Sequence, residues 1–235
     1  MKIQPGIDIV DLALYLKSYK TLVIADLHIG YEEALNKQGI LMPRFQYKEL
    51  SKRLLTIIDK TRPETIVING DFKHEFGEIS ETEWRQALRV FDLLAKHSDI
   101  IIIKGNHDTI LGPIADKRKI KVLDHYTIVD IYITHGNTIP KDMHFKKAKT
   151  IIIGHEHPAV SIREHARSET FKCFLVGKWK QKTLIVMPSL NLITEGTDIL
   201  HQKLLSPFLT DVSKFDVYVA ADKTYPFGKV HMLMP

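Results

Sequence analysis

The sequence predicts a layered α/β fold in which two stacked mixed β-sheets are flanked by helices. Three observations predict it: five short runs of β-branched residues without polar alternation, amphipathic stretches between the early runs, and a β-rich stretch after residue 158. Apolar runs about four residues long read as strands covered on both faces. In chain order they are 22–25, 66–68, 100–103, 131–134 and 151–153. Between the first two, Tyr47, Leu50, Leu54, Ile57 and Ile58 recur at helical spacing. Pro43 ahead of them suits a first helical turn, where its missing N–H costs nothing. Before the third strand, Ser80 and Glu83 have the spacing of a capping box, and Trp84, Leu88, Phe91, Leu94 and Ala95 form one apolar face behind it. Segments near 171–177, 183–187, 216–220 and 229–233 are expected to complete the second sheet and to supply loops at the rim of a site. No linker, repeat or low-complexity tract divides the chain, so residues 1–235 are expected to form a single domain.

Composition excludes several classes. With 44% hydrophobic and 26% charged residues, the chain is not disordered, collagen-like or a coiled coil as a whole. No apolar run approaches the roughly 20 residues of a membrane helix, and the amino terminus has no apolar segment of signal-peptide type, so a cytoplasmic protein with no membrane contact is expected. The single cysteine, Cys173, rules out an internal disulfide and a zinc site made of several thiolates. The net charge is +5, and it is concentrated: from Lys141 to Lys182 there are ten Lys or Arg against four acids, with Phe145, Phe171 and Trp179 among them. Such a stretch can attract a phosphate backbone and stack bases, which makes nucleic acid a candidate partner.

Each of the five strands runs into polar residues of metal-ligand type. They are Asp26 and His28, then Asp71, then Asn106, then His135, then His155 and His157. Loops beyond strand ends carry functional groups because the sheet fixes their roots and leaves the tips free to vary. This oxygen and nitrogen set suits Mn²⁺, Zn²⁺, Fe or Ni²⁺ better than Ca²⁺ or thiolate-loving metals. In Asp26-x-His28 and His155-x-His157, side chains two apart on an extended backbone point to one side. One carboxylate shared by two divalent ions sets them roughly 3.5–4 Å apart, the spacing of a phosphoryl-transfer clamp.

In this order, the motifs D-x-H, G-D, G-N-H-D, H-G and G-H-x-H resemble those of the calcineurin-like metallophosphoesterase superfamily, from Asp26 to His157. The runs Gly70 to Gly77, Gly154 to Pro158 and Pro188 to Asn191 resemble the small archaeal SbcD-related phosphoesterases most closely. The resemblance implies a four-layer α/β/β/α sandwich. It also implies two divalent ions, most simply manganese, one held by Asp26, His28, Asp71 and His157 and the other by Asp71, Asn106, His135 and His155. Activated hydroxide would then attack a phosphate-ester substrate, a phosphodiester of nucleotide or nucleic-acid type. His107 would protonate the leaving oxygen and His74 would orient His107 through a hydrogen bond; Asp108 joins them as a catalytic candidate, more by supporting its own loop than by catalysing. His74 stands where protein-phosphatase-like members carry Asp, and the SbcD-type nucleases resemble this chain there. Only 78 residues follow His157, which argues against a processive double-strand exonuclease. The alternatives are a small-molecule phosphomonoesterase, or a non-catalytic scaffold working with a DNA-repair partner. Relatives also suggest a homodimer, or a helicase or ligase partner.

Overall fold

The computed structural model describes residues 1–75, 80–109, 111–164 and 167–233. Phe76 and Gly77 of the Gly70 to Gly77 motif lie outside these. The amino-terminal half builds one sheet whose spatial order follows the chain. Its strands are β1 (Lys2–Gln4), β2 (Ile7–Val10), β3 (Ala13–Leu16), β4 (Thr21–Ala25), β5 (Thr65–Asn69), β6 (Asp99–Ile103) and β7 (Lys121–Leu123). The first four are antiparallel neighbours, and β4 to β7 run parallel. Parallel neighbours need crossover connections, and α1 (Tyr31–Lys37) with α2 (Gln46–Thr61), α3 (Glu81–Ala95) and α4 (Gly112–Asp116) supply them.

The second sheet contains β8 (His125–Ile128), β9 (Ile131–Thr134), β10 (Thr150–Ile153), β11 (Pro158–Glu164), β12 (Arg167–Trp179), β13 (Lys182–Val186), β14 (Thr197–Asp198), β15 (Asp216–Ala220) and β16 (Thr224–Lys229). Its order is β14-β11-β12-β13-β10-β9-β8, and β15 pairs with both β12 and β16. β9, β10 and β13 are parallel. The short helices α5 (Met143–Lys147) and α6 (Val230–Leu233) lie in this half.

Alternate residues of the central strands serve different cores. Val23, Ala25, Val67 and Ile103 face Ile133, Ile152, Ile185 and Met187 between the sheets. Leu22, Ile24, Ile66, Ile68 and Ile102 face α2, α3 and α4 through Leu54, Ile58, Phe91 and Ile114. On the far side of the second sheet, Ile151, Ile153, Leu184 and Val186 pack with Phe145, Phe208 and Phe215. Two stacked mixed sheets flanked by helices are therefore the observed architecture, as the sequence led us to expect. Among the described residues no helix is long and apolar enough to cross a membrane.

Two local expectations are corrected. Pro43 does not open α2; the helix starts at Gln46, and the Glu32 carboxylate accepts from the Phe45 and Gln46 N–H groups at 2.7 and 2.6 Å. Residues 229–233 do not form a strand, because β16 ends at Lys229 and Val230 begins α6. At α3 the expectation holds: Ser80 Oγ accepts from Glu83 N at 3.1 Å.

Candidate metal centre

Register brings the ligand loops to one level. Ala25 pairs with Asn69 and Asn69 with Ile103, so the chain leaves β4, β5 and β6 side by side toward Asp26, Asp71 and Asn106. Across the sandwich, Ile133 pairs with Ile152, and His135 and His155 follow at the same end. All seven ligand-type residues named from the sequence converge there, and they fall into two overlapping groups. In the first, His28 Nε2 lies 3.3 Å from His157 Nε2 and 3.9 Å from Asp71 Oδ2, and His157 Nε2 lies 3.5 Å from Asp26 Oδ1. In the second, His135 Nε2 has Asn106 Oδ1 at 2.9 Å, His155 Nδ1 at 3.1 Å and Asp71 Oδ2 at 3.3 Å. Asp71 belongs to both groups, each of which could hold a metal ion.

The backbone is bent to achieve this. Asp26, His28, Asp71, His155 and His157 all have positive φ, between 43° and 65°. Left-handed backbone costs a non-glycine residue on the order of 1–2 kcal/mol, and it persists where the surroundings impose it. Here they do. His28 N donates to Asp71 O at 2.9 Å, Ser189 Oγ to Asp26 O at 2.7 Å, and Asn191 Nδ2 to Leu27 O at 3.1 Å. His155 N donates to Asp26 Oδ2 at 3.0 Å, which ties the two sheets together at the site. Two glycines are required by close approach. A Cβ on Gly70 would lie 2.1 Å from His135 Nδ1, and one on Gly105 would lie 2.2 Å from Asp71 Oδ1.

His107 stands beside the groups, with Nε2 4.0 Å from Asp71 Oδ2 and its backbone N–H donating to Asp71 Oδ1 at 2.9 Å. Its Nδ1 is 2.5 Å from the carbonyl oxygen of His74, so Nδ1 carries the proton and donates. The His74 ring does something different from the expected ring-to-ring hydrogen bond. It stacks on His107 at a centroid distance of 5.6 Å, approaches His28 Nδ1 at 3.4 Å and lies 4.3 Å from the Tyr31 ring. The buried Asp108 carboxylate accepts from the N–H groups of Phe72, Lys73 and Gly105 at 3.0–3.3 Å, and so pins the two loops to each other. Tyr31 and Gln46 carry no signal in the sequence, and Glu83 and Ser189 stand there only as a capping residue and within the Pro188 to Asn191 motif. Gln46 Nε2 donates to Leu27 O, and Glu83 Oε1 accepts from His74 N, contacts made to backbone that no ligand-type spacing reports.

Electrostatics favour the ligating forms of His28, His155 and Asp71. Burial and the adjacent His157 hold His28 well below its ordinary pKa. Burial and His107 push His74 down to about 4, and burial and His135 push His155 down to about 4. Burial opposes ionisation of Asp71, but the hydrogen bond and charge of His135 outweigh it and hold the carboxylate below its usual range. The reverse holds for His135, which burial lowers and Asp71 and Asp26 raise more. Neutral imidazoles and ionised carboxylates are the ligating forms. Asp26 Oδ1, 3.5 Å from His157 Nε2, is buried without a hydrogen-bond partner, a cost that a cation beside it would offset. The residues present therefore fit a divalent metal centre.

Six of the ten cations of the basic stretch from 141 to 182 lie away from this centre, whereas Lys172 donates to the Ser189 and Asn191 carbonyls beside it. Lys146, Lys147 and Lys149 precede β10, and Lys178, Lys180 and Lys182 flank the β12–β13 turn. Both places are at the strand ends opposite the ligands.

The chain is similar in structure to the nuclease MPE of Pseudomonas putida, with a TM-score of 0.67 and 22% identity over 92% of each chain. It also matches YfcE, a phosphoesterase from E. coli, with a TM-score of 0.43 and 11% identity over 89% of this chain and 97% of that one. Vps29 of Entamoeba histolytica complexed with zinc matches with a TM-score of 0.36 and 16% identity, over 88% and 99%. No curated protein matches the sequence. The family model for calcineurin-like phosphoesterases matches residues 19–220. With that match covering most of its length, and with the family's two-sheet fold and a buried His/Asp cluster in place, the chain belongs to the calcineurin-like phosphoesterase family.

Proposed function

We propose that this protein hydrolyses phosphodiesters at a two-metal centre. The observation that carries the reading is Asp71, whose carboxylate is shared by two ligand groups and also approached by His107. In this reading Asp26, His28, Asp71 and His157 hold one divalent ion, and Asp71, Asn106, His135 and His155 hold the other, with manganese as the first choice. Held there, such ions would supply Lewis-acid neutralisation of phosphate oxygens and a lowered pKa for an attacking water.

The chain's own residues supply the rest. His107, its Nδ1–H fixed on the His74 carbonyl, presents Nε2 toward the reacting phosphate and donates a proton from it to the leaving oxygen. The His74 ring, between His28 and Tyr31, holds the position of that carbonyl and walls the leaving-group side. Asp108 keeps the two loops in register. The likeness to a nuclease along 92% of both chains agrees with a diester substrate, and nucleic acid is its natural source.

The test compares metal-stripped protein, re-supplied with Mn²⁺, on bis-p-nitrophenyl phosphate and on p-nitrophenyl phosphate, with Asn106→Ala as control. The expected result is Mn²⁺-dependent diester turnover that the substitution abolishes. Turnover of the monoester alone would replace this reading with a phosphomonoesterase.

A further inference from the structure

Among the described residues a wide groove lies away from the metal centre. It encloses 780 Å³ at the other end of the second sheet, and Trp179, Lys178, Lys180 and Lys214 are among the residues that line it. The pairing of Trp179 with Lys182, and of Ile153 with Val186, places this turn about six strand residues from His155. At about 3.3 Å per residue that is roughly 20 Å.

Two features of the groove point to one ligand chemistry. The first is charge. Lys178, Lys180 and Lys214 are exposed, and among the described residues none of them has a carboxylate within 4 Å, although Asp211 of the same groove feels the charge of Lys214; Lys229 there is paired with Asp216 at 3.0 Å. Lys146 and Lys147 add exposed positive charge beside it, where Lys182 Nζ donates to the Lys146 carbonyl at 2.8 Å. The second is an aromatic platform. The half-buried Trp179 ring is backed by Phe208 at 5.1 Å and Phe145 at 5.7 Å, and Lys180 Nζ lies 4.6 Å from its centroid. Gly177 lets the Phe215 ring close the groove wall, since a Cβ there would meet that ring at 2.2 Å.

Unpaired cations around an aromatic face suit a strand that carries both phosphates and bases. An acidic peptide would use the charges and leave the ring idle. We infer that this groove is a second, non-catalytic binding site for single-stranded nucleic acid, in which Lys178, Lys180 and Lys214 contact phosphates and a base stacks on Trp179. A strand held there is tethered about 20 Å from the metal centre, so the site retains polymer on the enzyme without presenting the bound bonds for cleavage. The use made of this tether rests on the phosphodiesterase reading, but the binding itself does not.

The chain has two tryptophans, Trp84 and Trp179. A Trp84→Phe protein therefore reports Trp179 alone, and EDTA keeps any bond from being cut, so the result is independent of catalysis. Oligo-dT is titrated at several salt concentrations. The expected result is quenching of Trp179 with an affinity that falls as salt rises. In a Lys178→Ala, Lys180→Ala, Lys214→Ala protein, the slope of log affinity against log salt should shrink by about 2, with roughly tenfold or greater weakening at low salt. Absence of quenching, or a triple variant that binds with unchanged slope, overturns the proposal. Equal quenching by poly-glutamate overturns the nucleic-acid assignment.

Discussion

At the scale of single residues, the account separates His107 from its neighbours. A group that only protonates the leaving oxygen matters in proportion to how poorly that oxygen leaves. His107→Gln should therefore cut turnover of a dinucleotide, whose leaving group is a poor alkoxide, by about 10²–10⁴-fold. It should cost bis-p-nitrophenyl phosphate far less; equal losses on both substrates in steady-state kinetics would make His107 a metal or structural residue instead. Asp108 belongs to another class. Its carboxylate satisfies three buried N–H groups, and each such group left unsatisfied costs about 1–3 kcal/mol. Asp108→Ala should lower unfolding free energy by about 3 kcal/mol or more in urea titration, and loosen the His107 loop with it.

At the scale of elements, the site depends on turns that must stay bent. Gly70→Ala would drive a methyl into His135 while straining a residue at φ 79°. Apparent Mn²⁺ affinity by calorimetry should fall much more than the melting temperature does, since the clash lies at a ligand and not in the core. Lys172 offers a pH signature. It donates to the Ser189 and Asn191 carbonyls, on the turn that holds Asp26 and Leu27, and burial and Arg53 push it down to about 7. Between about 7 and the ordinary lysine value, the unfolded chain binds the proton that the native state has lost. Stability should therefore rise with pH across that window. Urea midpoints at pH 7.5 and 9.5 should differ in the expected direction for the wild type, and the difference should shrink in Lys172→Met.

What was legible in the sequence follows the same division. Strands β4, β5, β6, β9 and β10 were readable because unbroken β-branched runs survive only where both faces are covered. The ligands were readable because they follow those runs directly. Strands β1 to β3 were not: Ile7-Asp8-Ile9-Val10 buries alternate residues only, a weak signal over four positions. The run at 229–233 misled because a short apolar segment fits a strand and a helix turn equally well, and length could not arbitrate. Tyr31 and Gln46 act on the site through ring or backbone contacts, which leave no spacing to find.

At the scale of the molecule, two sheets that share an apolar interface bring ligands from five strand ends into one polar cluster. The first sheet gives Asp26, His28, Asp71 and Asn106, and the second gives His135, His155 and His157. Neither sheet holds either group alone, because His157 completes the first and His135 with His155 completes the second. Metal binding should therefore stabilise the packing of one sheet on the other. The direct measurement is calorimetric titration of Mn²⁺ into metal-stripped protein, beside the same titration of Asp71→Ala. The account predicts two ions per chain for the wild type and impaired binding of both in the variant, because one carboxylate serves both groups. A single ion in the wild type, or loss of one ion with the other bound at full strength in the variant, would contradict it.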